Sequence, residues 1–222
     1  MKVLYVSDLD GTLLNENSSI SEQSLSILNT LIKKGVAFTF ATARSLHSAA
    51  KVTKGLQLKL PLIVYNGVYV LDAKDHHILA QQEFTKQQLE QILRIGDAYR
   101  QYPFVYAYIN GVERVSYLPD TLHPGGWHYR NSRMDDKRFR SIVSAQQLLD
   151  GDSFYVTFIN DKEALQPIYE QLCALDTFTI TFQKELGREE YWLEVMPATA
   201  SKANAILKLK ELGGFDHVVC FG

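Results

Sequence analysis

The sequence predicts an α/β fold: a doubly wound, Rossmann-like parallel-sheet core with an α+β module set into it. Three observations carry this expectation. Short, continuously apolar runs alternate with helix-period segments from residue 3 to residue 67, as expected for strands buried on both faces of a parallel sheet and joined by crossover helices. From about residue 68 hairpin signals mix with helices. The helix-then-strand pattern then returns in SKANAILKLKELGG and HVVCF.

Taken in order, KVLYV is the first buried strand. After a polar loop, Ser19 and Glu22 stand at capping-box spacing. Leu25, Leu28, Leu31 and Ile32 recur at helical intervals until Gly35 closes the segment. VAFTFAT is the second strand, SLHSAAKVTKGL a short helix, and LPLIVYNG the third strand. VYVLD and HILAQQEF form a hairpin, followed by a helix with Leu89, Ile92, Leu93 and Tyr99 on one side. FVYAYING and VERVSYL are joined by Asn110-Gly111, a strong hairpin-turn signal. A polar stretch precedes the strand SFYVTFI, a helix over about residues 161–175, and the strands FTITFQ and YWLEVMP. The expected division is a core of residues 1–82 and 191–222 with the α+β module at 83–190.

At 222 residues and 46% hydrophobic composition, the chain can bury a large core. A formal charge of −2 exerts no pull toward nucleic acid or anionic membrane. No apolar run approaches the roughly 18 residues that span a bilayer, and the stretch after Lys2 is too short for a signal-peptide core. Cys173 and Cys220, without CxxC or Cys/His metal spacing, suit a reducing compartment, so a cytoplasmic location is expected. P-loop and GxGxxG patterns are absent, and the aromatic strands lack a basic groove, so nucleic acid is not an expected partner. The oligomeric state has no signal in the sequence.

Asp8 and Asp10 end the first strand, at the edge where open α/β sheets place ligands. Positions i and i+2 of an extended chain point the same way, so both carboxylates can face one crevice. Gly11 permits a sharp turn, and Thr12 can hydrogen-bond an aspartate and hold its rotamer. Asp and Gly are also ordinary turn residues, but a full apolar strand leading into this doublet makes that the weaker account. Thr42 ends the second strand in the position parallel to Asp8, and Asn66-Gly67 ends the third. Ser201 reads as an N-cap, which puts Lys202 in a first helical turn where the macrodipole disfavours a cation. An anion between that lysine and the exposed helix amides would account for it.

DLDGTLL resembles the first motif of the haloacid dehalogenase-like superfamily, most of whose members are phosphatases, and the resemblance runs over essentially the whole chain. It implies that Asp8 is the nucleophile that takes the phosphoryl group. Asp10 would then protonate the leaving alcohol and later deprotonate water. Thr42, in FATAR, is similar to the second-motif Ser/Thr that donates to the phosphate, although Ala43 stands where relatives usually have Gly. PATASKANAIL is similar to the third-motif segment that carries the phosphate-binding lysine, here Lys202. Two carboxylates facing a phosphate dianion repel it by on the order of several kcal/mol at an effective dielectric of about 20, so cations and donors are required. Arg44 is expected among the anion ligands, with pairing to a core carboxylate an equal alternative. Asn66 is expected on the substrate side, as in the resembling subgroup.

An insert after the third strand resembles the type IIB cap of the Cof-like sugar-phosphatase subgroup. The implied function is Mg²⁺-dependent hydrolysis of a small phosphomonoester, by default a sugar phosphate, through an aspartyl-phosphate. The cap would exclude water and choose the substrate. Asp8, by its carboxylate, and Asp10, by its carbonyl, would be two oxygen ligands of the Mg²⁺. The superfamily's fourth motif, commonly GDxxND, belongs directly after the strand HVVCF, where the sequence stops at Gly222. A core lacking its C-terminal strand and helices, with impaired turnover, is the resulting expectation. A phosphotransferase or phosphomutase would use the same aspartates, and a non-catalytic phosphate-binding fragment would keep them without turnover. His123, His128, Arg130 and Arg133 flank PGGW in what reads as a polar surface loop, since this His spacing is no metal signature.

Overall fold

In the computed structural model, which describes residues 1–185 and 187–222, the first apolar run becomes strand β1 (Val3–Ser7). The chain then turns at Asp10 (φ −72°, ψ 127°) and Gly11 (φ 73°, ψ 1°), a type II geometry that requires glycine at its second corner. Helix α1 (Glu22–Lys33) starts at Ser21, whose hydroxyl accepts from the Ser24 amide. The expected cap, Ser19, is instead held in a preceding turn, its amide and hydroxyl both donating to Asn15 Oδ1. Strand β2 (Ala37–Phe40), helix α2 (Leu46–Val52) and strand β3 (Leu62–Val64) follow. The hairpin of β4 (Tyr69–Leu71) and β5 (Ile78–Gln81) then pairs antiparallel onto β3.

Helix α3 (Lys86–Ala98) opens with a Thr85–Gln88 capping box. Strands β6 (Phe104–Ile109) and β7 (Val112–Tyr117) meet at Asn110 and Gly111, which take φ of 52° and 75° as the turn signal predicts. The stretch read as a polar loop contains a helix, α4 (Pro124–Asn131), with Pro124 in its first turn and His123 as N-cap. Its glycines are packing residues rather than breakers: a Cβ on Gly125 would stand 2.9 Å from Glu190 Cγ and 3.1 Å from Ile159 Cγ2. Arg130 donates to the Tyr117 hydroxyl at 3.3 Å, and Arg133 lies over the Tyr129 ring at 4.2 Å. Strands β8 (Phe139–Ser141) and β9 (Asp152–Asn160), helix α5 (Lys162–Cys173), and strands β10 (Phe178–Lys184) and β11 (Tyr191–Pro197) come next. Helix α6 (Lys202–Gly213) and strand β12 (His217–Phe221) end the chain.

These elements form two units, Met1–Gln82 with Ala200–Gly222, and Glu83–Thr199. In the first, β12, β1 and β2 are parallel neighbours in that order, and a parallel bridge from Ala41 to Ile63 sets β3 beside β2. Helix α6 packs Ala205 and Leu209 with Leu4, Val6 and Ile63. In the second, the strand order is β10-β11-β9-β6-β7-β8, antiparallel except for β7 with β8. There α3 and α5 place Leu89, Ile92, Leu165 and Ile168 in one core with Val156, Leu193 and Val195. The return to the first unit falls at Ala200 rather than residue 191, because β11 is paired on both sides, with β10 and β9. Among the described residues no helix is long and apolar enough to cross a membrane.

Glu194 on β11 is a buried carboxyl that accepts from the Thr181 hydroxyl at 2.8 Å and also bonds Tyr155. Burial raises its pKa, and the two hydrogen bonds offset this only in part. A raised carboxyl contributes stability that is present below the unfolded pKa and is lost as pH rises through the folded one. Glu194→Gln is therefore expected to melt higher than wild type at pH 8, by about 2–4 °C for each kcal/mol relieved. The difference should vanish near pH 4; calorimetry at the two pH values measures it.

Candidate active site

Asp8 is held from several sides at the end of β1. Its amide donates to Phe221 O at 2.8 Å, so β12 grips it from the backbone. Its Oδ1 accepts from the Leu9 amide at 2.6 Å, which fixes the carboxylate plane. Its Oδ2 accepts from Lys202 Nζ at 2.7 Å. Lys202 is the first residue of α6, behind Ser201, whose hydroxyl accepts from the Asn204 amide at 3.0 Å. The two side chains are 28% and 32% exposed, so the ion pair is partly shielded from solvent. The ammonium that the helix dipole disfavours is thus compensated by a carboxylate from the strand beside it.

Asp10 has its own cation. Arg44 Nε and a terminal nitrogen donate to its two carboxylate oxygens at 2.8 and 2.6 Å, and the other terminal nitrogen donates to Ser48 Oγ at 3.1 Å. Arg44, for which anion binding and pairing to a carboxylate are equal expectations, is bound here to an acidic residue, because its planar fork matches a carboxylate as well as a phosphate. Thr42 is fully buried, and its Oγ1 accepts from the Arg44 amide at 3.1 Å. The Asn66 amide donates to Thr42 O at 2.9 Å, and the Tyr65 amide to Arg44 O at 3.0 Å. The six candidate residues thus fall into two clusters, Asp8 with Lys202, and Asp10 with Arg44, Thr42 and Asn66. Ser48 had no place in the sequence reading, though its spacing from Arg44 at the start of α2 was a usable sign. Gly67, where a Cβ would stand 2.2 Å from Ser201 O, gives no local sign of that close approach, because its partner lies in a distant segment.

A cleft of about 470 Å³ opens beside Asp8 and Lys202, walled further by Ala203, Ile206, Val218 and Phe221. A hard cation suits the oxygen donors at the strand end, the Asp8 carboxylate and the Asp10 carbonyl, although Lys202 now occupies one Asp8 oxygen. Among the described residues, the group of three close ligand atoms is elsewhere, at Asp72, Asp75 and His77 on the β4–β5 turn.

A parallel α/β core thus carries two aspartates after its first strand, one of them bonded to a helix-start lysine. The chain belongs to the haloacid dehalogenase-like hydrolase family, whose model matches residues 5–222. It is 32% identical over 236 residues to the 5-amino-6-(5-phospho-D-ribitylamino)uracil phosphatase YitU of Bacillus subtilis, a match covering 99% of this chain and 79% of that one. Its fold is similar to that of a haloacid dehalogenase-like hydrolase from Bacteroides thetaiotaomicron (TM-score 0.77, 18% identity, 100% of this chain and 82% of the other). It is also similar to the subclass IIB sugar phosphatase BT4131 (TM-score 0.76, 14% identity, 100% and 80%). The chain is an enzyme of the phosphatase class.

Removing Lys202 leaves Asp8 partly shielded and without its counter-charge. Lys202→Met is expected to lower stability by about 1–2 kcal/mol, between exposed and fully buried pairs. The Asp8→Asn/Lys202→Met double variant should recover much of that loss, as urea unfolding of the set at pH 7 would report.

Proposed function

We propose that the protein hydrolyses a small phosphomonoester, with Asp8 as nucleophile, Asp10 as acid and base, and Lys202 as the cation for the phosphoryl group. The observation that carries this reading is the 2.7 Å contact between Lys202 Nζ and Asp8 Oδ2, between residues 194 positions apart. The relative YitU acts, by its name, on a phosphorylated ribityl compound, which supports a polyol or sugar phosphate as the substrate class. Two free cysteines and a net charge of −2 suit a cytoplasmic enzyme.

The Leu9 amide anchors Asp8 Oδ1 and so leaves Oδ2 as the attacking atom. A phosphoryl oxygen approaching Asp8 would share the Lys202 ammonium, which uncovers Oδ2 and offsets the charge repulsion. Oδ2 then bonds to phosphorus as the bond to the alcohol oxygen breaks, and Asp10 gives its proton to that oxygen. Asp10, now a carboxylate, takes a proton from water, whose oxygen attacks phosphorus. The bond from phosphorus to Oδ2 breaks, releasing phosphate and restoring Asp8. Arg44 grips both oxygens of Asp10, so it must release one of them before Asp10 can reach the leaving oxygen. Thr42 keeps its hydroxyl proton for the phosphoryl group while the Arg44 amide orients its oxygen. Asp8 and the Asp10 carbonyl would hold Mg²⁺, which, when bound, would neutralise charge on the phosphoryl oxygens.

Asp8→Asn is expected to abolish hydrolysis of para-nitrophenyl phosphate in Mg²⁺, and Asp10→Asn to slow it by about 10²–10⁴-fold. Chelation with EDTA should silence the wild type, with added Mg²⁺ restoring it. A wild-type rate in Asp8→Asn would remove Asp8 as nucleophile.

A further inference from the structure

The turn that ends β3 has an unusual backbone. Tyr65, Asn66 and Gly67 all have positive φ, at 51°, 54° and 93°. One left-handed residue is ordinary in a turn; three in succession, one of them a bulky aromatic, persist only if neighbours hold them. On one side the Tyr65 amide donates to Arg44 O at 3.0 Å and the Asn66 amide to Thr42 O at 2.9 Å. On the other side Gly67 rests against the start of α6. A Cβ at Gly67 would stand 2.2 Å from Ser201 O, 2.4 Å from Ser201 C and 3.0 Å from Lys202 N. These are backbone atoms, so no side-chain rotation relieves the clash, and the turn and the helix would have to part.

We propose that this turn is a positioning bracket: Gly67, seated on the peptide between Ser201 and Lys202, sets how far the Lys202 ammonium reaches toward Asp8. The same turn pins the backbone of Thr42 and Arg44, so one strained segment locates the hydroxyl and both cations. The inference rests on Lys202 acting as the phosphoryl-binding cation. Any side chain at position 67 displaces the first turn of α6, and a misplacement of about 1 Å near reacting atoms costs on the order of 10²-fold in rate. Gly67 acts through Lys202 and touches no reacting atom itself.

A mutant cycle tests this, with Gly67→Ala, Lys202→Ala and the double variant assayed on para-nitrophenyl phosphate and for inhibition by inorganic phosphate. Gly67→Ala is expected to lower kcat/KM by about 10²-fold and to weaken phosphate inhibition, with thermal unfolding still cooperative. In the Lys202→Ala background the same change should cost less than about threefold, since the group it misplaces is gone. Equal costs in the two backgrounds would overturn the bracket while leaving Lys202 as the phosphate ligand. Full activity in Lys202→Ala would instead overturn the ligand assignment, and the bracket with it. If Gly67→Ala does not fold, the wild type answers through hydrogen exchange. Saturating inorganic phosphate should slow exchange at the Tyr65 and Asn66 amides, and should not do so in Lys202→Ala. Unchanged exchange at those amides in phosphate-saturated wild type would overturn the proposal.

Discussion

Two carboxylates separated by one residue at the end of a parallel strand form the constraint on which the site depends. Two carboxylates this close in sequence repel each other, and each is met by a counter-charge. The first unit meets this with one cation for each. Lys202 comes from the start of α6 and Arg44 from the loop after β2, and each bonds a different aspartate. Both pairs keep some solvent contact, which discounts their contribution to stability and leaves them free to exchange partners.

The parallel sheet makes this arrangement reachable. Strands running the same way bring their carboxyl ends to one edge, so the segments after β1, β2 and β3 become neighbours although they are far apart in sequence. The contacts then close on themselves. Asp8 meets Lys202, Ser201 lies on Gly67, Asn66 holds Thr42, Tyr65 holds Arg44, and Arg44 returns to Asp10. In such a linked set, a shift in one member passes to the next through the backbone contacts of Gly67, Asn66 and Tyr65 and through the ion pairs of Lys202 and Arg44. That is what pre-organisation of a charged site requires.

Much of this was legible in the sequence where a local rule had one reading. The apolar run into Asp8 and Asp10 spelled a buried strand ending in acids, and Ser201 before an apolar helical pattern spelled a helix start with a misplaced cation. Asn110-Gly111 called for a left-handed hairpin turn and makes one. Legibility failed where one residue type serves two ends. Arg44 fits phosphate and carboxylate equally, and only proximity to Asp10 decides between them. Gly125 and Gly126 look like helix breakers until Glu190, Ile159 and Leu122 are seen pressing on α4, where a missing side chain is what allows the helix to lie down. Ser19 and Ser21 are chemically the same cap, and Asn15 settles the choice by bonding the first. The strand YWLEVMP reads the same in either unit, so its pairing with β9 and β10 had to be seen.

The two cations differ in a way that suits the two aspartates. Lys202 offers a compact charge with rotatable donors on a flexible stem, so it can turn from Asp8 Oδ2 toward a phosphoryl oxygen. Arg44 grips Asp10 through two parallel bonds, and Ser48 braces the guanidinium from behind. Such a fork fixes the plane of the carboxylate it holds. On the proposed mechanism Asp8 must free an oxygen to attack while Asp10 must stay oriented, and a flexible lysine and a forked arginine suit those two tasks. Exchanging the partners, with a fork on Asp8 and a flexible ammonium on Asp10, would immobilise the attacking oxygen and leave the proton donor without an orienting group. On the proposed mechanism, each cation thus suits the task given to its aspartate.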